Sequence, residues 1–332
     1  MHELDLDLRS LVSRRSLVAA GLFLAAAAAV ALMSDRLGPA VADLEDARPI
    51  WLWAAAAGFL GSLFGSACAW RGAFALCGAR FSRLDAASRY SLGSLVNGLA
   101  PVRVGQAVRL ALFARALPGA DRAWRTGGAF GVIAAARALV FAVVIVCAAA
   151  LGAVPLWPVV ALGAVVCLAA LVAYRARNRT PRTHVAHVID AFRELARTPF
   201  AGVRIVACVA ASTGARFGGA AAIAAALGVP APVSAALIIL PALDVAGMIP
   251  LNGNVGITSG AVAVALEAHG IDLSQALATG LAFHAVETAA GIAAGLGGTL
   301  FLVRFDARRL VVAGATACLV AAFAATVIVP LA

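Results

Sequence analysis

The chain has 332 residues, 63% of them hydrophobic and 13% charged, with a formal net charge of +10 and a mean hydropathy of +0.97. A soluble domain carries roughly 45–50% apolar and about 25% charged residues, so an ordinary cytosolic enzyme, a disordered chain and a secreted disulfide scaffold are excluded. Every Lys/Arg position is Arg, which removes lysine Schiff-base and P-loop chemistry.

The chain reads as an all-α integral membrane protein. A bilayer-spanning helix needs about 20 apolar residues, and such runs fall at 17–33, 50–78, 127–150, 156–174, 200–227, 276–303 and 310–330. The uncharged stretch 138–174 is too long for one span, and Pro155 and Pro158 divide it into a helical hairpin. About seven transmembrane helices are therefore expected. Arg9, Arg14 and Arg15 place the N-terminus in the cytoplasm by the positive-inside rule, and Asp35, Asp43, Glu45 and Asp46 mark the following loop as external. Alternation then puts 79–126, 175–199 and 304–309 inside, and these segments hold most of the arginines. A multi-pass protein of the plasma (cytoplasmic) membrane is implied. A second reading of the first run is a cleaved signal peptide, with Ala29 and Ala31 at the cleavage site. Short bursts of Arg between apolar runs fit topology and anionic headgroups, not a nucleic-acid-binding face. Cys68, Cys77, Cys147, Cys167, Cys208 and Cys318 lie in or beside apolar segments without a CxxC pair and read as packing residues.

Two segments do not fit as spans. In 84–116, short helical patterns over 86–99 and 104–116 flank a break at Pro101, followed by Gly105 and Gln106. In 233–268, two short apolar helices flank a break at Pro250, Asn252 and Asn254, followed by Gly256. Each half is too short to cross. Both pairs read as re-entrant, entering from opposite faces; the competing reading lays them flat on the membrane surface. Their punctuation also matches, Pro101 and Gly105 answering Pro250 and Gly256, and Gly119 and Asp121 answering Gly270 and Asp272. The expected organisation is a single membrane domain, 1–332, built as an inverted repeat. Repeat 1 covers about 50–174 and repeat 2 about 200–330, joined by a cytoplasmic amphipathic segment, 175–199. In that joint, apolar residues at 185, 188, 189, 192 and 195 make one helix face, with His184 and His187 on a solvated side. The pairs Gly61/Gly65, Gly214/Gly218 and Gly291/Gly295 fit close helix packing.

The string SLVNGLAPVRVGQAVR (94–109) resembles the N…P-x-R-x-G-E-x-x-R signature of the flippase-like transmembrane domain of lysylphosphatidylglycerol synthases, which also occurs as stand-alone proteins. The string IPLNGNVGITS (249–259) is similar to that family's I-P-x-x-x-G-G-x-G-V-x-E element. The resemblance spans about 15–330. It implies a membrane protein that moves or handles a lipid with a polar headgroup. Departures stand at Gln106 and Ser259, where the family carries Glu, and at His284, where it commonly carries Arg. The synthases' soluble lysyl-transferring domain has no counterpart, so the chain is not expected to make lysyl-lipid.

Ionisable groups inside spans are expensive and mark functional or paired sites. Arg137 lies mid-span and is either a headgroup-phosphate clamp or a structural Arg paired with a buried acid or with carbonyls left free by the helix breaks. Glu287, with His284 one turn before it, either neutralises Arg137 or Arg216 or relays protons with His284. Arg103 and Arg109 flank the first break and either attract an anionic headgroup or serve as positive-inside charge. Asn97, Asn252 and Asn254 satisfy broken backbone, with substrate contact secondary. Asp244 caps its helix or pairs with an Arg. Arg71 either lies mid-span or snorkels to the interface. Of these, Arg137, Arg109, Arg103, Arg216, His284, Glu287, Asn97, Asn252 and Asn254 make the expected substrate-binding set, without catalytic residues, metal or cofactor, since no HExxH, GxSxG or paired-aspartate motif occurs. The leading expectation is a non-enzymatic lipid transporter for an anionic or sugar-bearing headgroup. The alternative is a non-transporting, lipid-binding partner of an envelope-biosynthesis enzyme such as a membrane glycosyltransferase.

Overall fold

The computed structural model describes residues 46–99, 104–118, 121–150, scattered positions between 152 and 167, 183–246 and 255–302. The expected spans 17–33 and 310–330, most of 156–174, and the breaks at Pro101 and Pro250 lie outside the described residues. Within them the protein is helical throughout: α1 (Pro49–Leu76), α2 (Arg83–Leu99), α3 (Val104–Ala114), α4 (Arg122–Ala150), α5 (Thr183–Arg197), α6 (Pro199–Ala226), α7 (Pro232–Ala246), α8 (Val255–Glu267) and α9 (Leu273–Leu302). Four of these, α1, α4, α6 and α9, are long and apolar enough to cross a membrane. They match the expected spans 50–78, 127–150, 200–227 and 276–303, with α4 and α9 starting a few residues earlier. The short helices α2, α3, α7 and α8 stand where the two interrupted segments were read.

Helix boundaries follow from local chemistry. Both α1 and α6 begin with Pro, whose missing N–H is unneeded in the first turn. Both end in the same six-residue bond. Ala79 N–H donates to Phe74 O at 3.0 Å and Val229 N–H to Ala224 O at 2.9 Å, and each closes over a glycine in the left-handed region, Gly78 at φ +90 and Gly228 at φ +67.

The helices α1 and α6 pack against each other along their length, the most extensive contact in the molecule. Small residues let them approach. A Cβ on Gly58 would stand 2.8 Å from Ala215 O, and one on Gly65 would stand 3.1 Å from Ser212. At their crossing Ser212 Oγ donates to Ser62 O at 2.7 Å and lies 2.8 Å from Ser66 Oγ. Gly214 and Gly218, read from sequence as packing residues, face away and have nothing within 4 Å; Gly219, one position on, holds the close contact against Phe59.

Two apolar cores flank this crossing. One gathers Trp70, Phe74, Phe113, Ile133 and Ile205; the other gathers Phe59, Ile223, Ile239, Leu266 and Phe283. The amphipathic helix α5 lies across α4 and α6, with Phe192 over Gly131 and Leu195 over Gly202. Its polar side pairs Arg193 with Asp190 at 3.0 Å.

Candidate functional site

A cavity of about 560 Å³ lies between α1, α4, α6 and α7, with Tyr90 of α2 and Glu287 of α9 completing its wall. Its polar lining is Ser62, Ser66, Tyr90, Arg137, Ser212, Thr213, Arg216, Asp244 and Glu287; the apolar lining includes Phe141, Val144, Leu240 and Val245. A second cavity, about 540 Å³, is lined by Asn97, Gln106, Phe130, Ile133, Ala134 and again Arg137 and Arg216. The two arginines thus border both spaces.

Arg216 sits on α6 between two acids. Its Nε donates to Glu287 Oε1 at 2.9 Å and its Nη2 to Oε2 at 3.4 Å, a side-on fork. Asp244 Oδ1 lies 3.6 Å from Nη1. This resolves the partner of Glu287 as Arg216 rather than Arg137, and gives Asp244 the pairing role rather than the cap. One cation therefore faces two carboxylates, and the cluster carries a surplus negative charge.

Arg137 is different. Its Nη2 donates to Tyr90 Oη at 3.2 Å, and among the described residues no carboxylate lies within ion-pair distance. It is exposed to the cavity. Its planar fork keeps donors free for a multi-oxygen anion.

Arg109, expected either to attract a headgroup or to serve as positive-inside charge, is buried at 6% exposure. Its guanidinium lies 3.7 Å from the centroid of the Tyr90 ring and 5.8 Å from Trp70. Its donors go to Tyr90 O at 3.3 Å, Gln106 Oε1 at 3.1 Å and Ser94 Oγ at 2.9 Å. It borders neither of these cavities and fastens α3 to α2. Gln106, the departure from the family's Glu, keeps an acceptor for Arg109 without adding charge. Gly105 lies in the first turn of α3 against Gly93 O and Asn97 Oδ1, where a Cβ would overlap both. It brings the two helices together rather than ending one.

Asn97 reaches the second cavity, and its Oδ1 is buried without a hydrogen-bond partner among the described residues. His284 lies away from both linings, with Nδ1 3.4 Å from Thr258 Oγ1 and Nε2 3.5 Å from Thr288 Oγ1. Gly256 is exposed in the first turn of α8. Ser259, the second departure, is buried and packs its backbone against Gly280. Arg71 donates to Phe81 O at 2.7 Å and so closes the loop after α1. Arg103, Pro101, Pro250, Asn252 and Asn254 lie outside the described residues.

Sequence reasoning did not single out Tyr90, which holds Arg109 on its ring and Arg137 on its hydroxyl. The available signal was its rarity: it is one of two tyrosines in the chain, adjoining Arg89 inside the first interrupted segment. The Ser62, Ser66 and Ser212 hydroxyls were also missed, because isolated serines in an apolar run carry no signature.

No curated protein matches the sequence. The family model for the lysylphosphatidylglycerol synthase TM region matches residues 16–295, a stretch that includes both interrupted segments, α1, α4 and α6 whole, most of α9, and every residue of the two cavities. This chain is a multi-pass membrane protein belonging to the lysylphosphatidylglycerol synthase TM region family.

Proposed function

We propose that the protein moves a phosphate-bearing lipid between the leaflets of the plasma membrane without being an enzyme. The observation that carries this is Arg137, a cation in a membrane-depth cavity with a hydroxyl partner and no carboxylate partner among the described residues. Such a charge is costly in a bilayer unless an anion visits it. A lipid phosphate suits both the charge and the fork. The opposite wall, where Asp244 and Glu287 share Arg216, adds a place for a headgroup hydroxyl or ammonium.

The architecture in this reading is an inverted repeat of about 50–174 and 200–330, with its N-terminus cytoplasmic and 175–199 on the inner surface. The pairs α2–α3 and α7–α8 are re-entrant from opposite faces. Supporting it, α1–α4 and α6–α9 run in the same order of long, short, short and long helices. The matching proline starts and glycine-closed ends of α1 and α6 agree with it too. Paired broken helices around a midplane site are a transporter pattern.

The test is scrambling of fluorescent phosphatidylglycerol in proteoliposomes. Transport that is lost in Arg137→Ala and stays lost in Arg137→Lys is expected, because lysine keeps the charge and loses the fork. Lipid that binds but never crosses in the unaltered protein would replace this reading with the non-transporting lipid-binding partner. Because Glu287 is held by Arg216, exchange is proposed to ignore an imposed pH gradient; a rate that follows the gradient and loses it in His284→Ala would make the His284/Glu287 pair a proton relay.

A further inference from the structure

The four-helix groups close differently at corresponding places. The helix α2 lies along α9, and the contact depends on missing side chains. A Cβ on Gly298 would stand 2.8 Å from Ser88 O, and one on Gly295 would meet Leu95 and stand 2.9 Å from Ser91 O. Counting from the first residues of α4 and α9, the positions matching Gly291, Gly295 and Gly298 of α9 are Val140, Val144 and Cys147 of α4. A helix with those side chains cannot be approached so closely. Its counterpart contact, α4 with α7, is correspondingly slight, and the larger cavity fills the space between them.

The gap has two zones. Phe141 and Val144 on α4 and Leu240 and Val245 on α7 give it apolar flanks, while Arg137 and Asp244 are its polar groups. Val245 is 62% exposed, so the flank continues to the outer surface of the described helices. We propose that the α4/α7 gap is a lateral portal holding the acyl chains of a membrane phospholipid whose phosphate rests on Arg137. This rests on the lipid-handling reading above and adds the route and the chain-binding residues. The α2/α9 contact is closed by its glycines, so of these two corresponding places among the described helices the α4/α7 gap is the one open to a lipid. Continuity of an apolar flank with a guanidinium that has no carboxylate partner among the described residues favours a lipid over a peptide or a soluble anion, which would leave the flank uncovered.

The full-length protein is placed in phosphatidylcholine vesicles containing phosphatidylglycerol with a diazirine near the end of one acyl chain, irradiated and digested. Adducts are expected on the α4 and α7 peptides carrying Phe141, Val144 and Val245. They should fall to background in Val144→Trp/Val245→Trp, which fills the gap, and persist in Leu139→Trp, which faces outward. Adducts spread evenly over outward residues such as Leu139, Val143 and Phe301, or unchanged by the two tryptophans, would overturn the portal. The map from unaltered protein decides even if the double variant does not fold. Labelling requires no transport: protein labelled in the gap that does not scramble lipid keeps the portal and loses the transport reading, whereas scrambling with label elsewhere does the reverse.

Discussion

Arg109 and Arg216 are both drawn into the helical bundle, and the protein neutralises them in opposite ways. Around Arg216 it supplies two carboxylates; around Arg109 it supplies ring faces, a backbone carbonyl, an amide and a hydroxyl. The first solution leaves charge facing the cavity, because Asp244 and Glu287 are 46% and 37% exposed on their side chains. The second buries the cation and keeps it out of both cavities. Between them Arg137 has, among the described residues, one hydroxyl partner from Tyr90. The comparison teaches that a buried arginine is not by itself a ligand site: what matters is whether its donors are already taken.

Breaking the neutral cage should have the largest effect. Arg109→Ala removes a buried side chain with three hydrogen bonds and is expected to destabilise by about 3–5 kcal/mol, the range for large core truncations. Thermal unfolding in detergent checks this, and a loss below about 1 kcal/mol would place Arg109 on the surface. Arg137→Ala should instead spare folding and reduce phosphatidylglycerol scrambling roughly ten- to a hundredfold, corresponding to one charged hydrogen-bond set of about 1.5–3 kcal/mol. Equal losses of stability at 109 and 137 would erase the distinction between cage and site.

Glu287→Gln leaves Asp244 to hold Arg216. The expected loss is about 1 kcal/mol rather than the about 3–5 kcal/mol of a fully orphaned buried charge, because the cluster is partly open to water. The double variant Glu287→Gln/Asp244→Asn should cost more than the sum of the single changes, read by a double-mutant cycle. Tyr90→Phe keeps the ring over Arg109 and deletes only the bond to Arg137, so a scrambling decrease of about two- to fivefold is expected, from about 0.5–1 kcal/mol. The smallest effect belongs to an acid outside the bundle. Asp272 precedes α9, and the Ser274 hydroxyl and amide donate to its carboxylate and hold it below the usual carboxylate range. A lowered folded value means that the stabilisation is present above about pH 4 and disappears as pH falls through the folded value. Asp272→Asn should thus differ from the unaltered protein at pH 7 and coincide with it in strong acid.

The helices were legible because punctuation is local: Pro and Gly set the limits of α2, α3, α7 and α8, and the apolar period of α5 set its face. Partners were not. That Glu287 meets Arg216 rather than Arg137 depends on how α6 and α9 pack, which no spacing along the chain encodes. The surroundings of Arg109 were hidden for a related reason, since its partners are neutral and mostly on another helix, and sequence reading looks for opposite charge. The glycine pair at 214 and 218 had the right spacing on the wrong face, and a shift of one position to Gly219 is invisible without the partner helix. Gln106, noted as a departure, acquires its meaning only once Arg109 is seen leaning on it.

The seating of α2 against α9 has a consequence for biosynthesis. Ser88, Ser91 and Leu95 rest on Gly295 and Gly298, which the ribosome makes well over half a chain length later. At about 5–20 residues per second, α2 leaves the ribosome roughly ten seconds or more before the surface that receives it. During that interval a segment carrying Arg89 and three serines, too short to cross the bilayer, lacks the α9 surface that receives it in the finished protein. The early half of the chain must therefore wait half-assembled in the membrane, and a ribosome stall before Gly291 would leave it a ready substrate for membrane quality-control proteases.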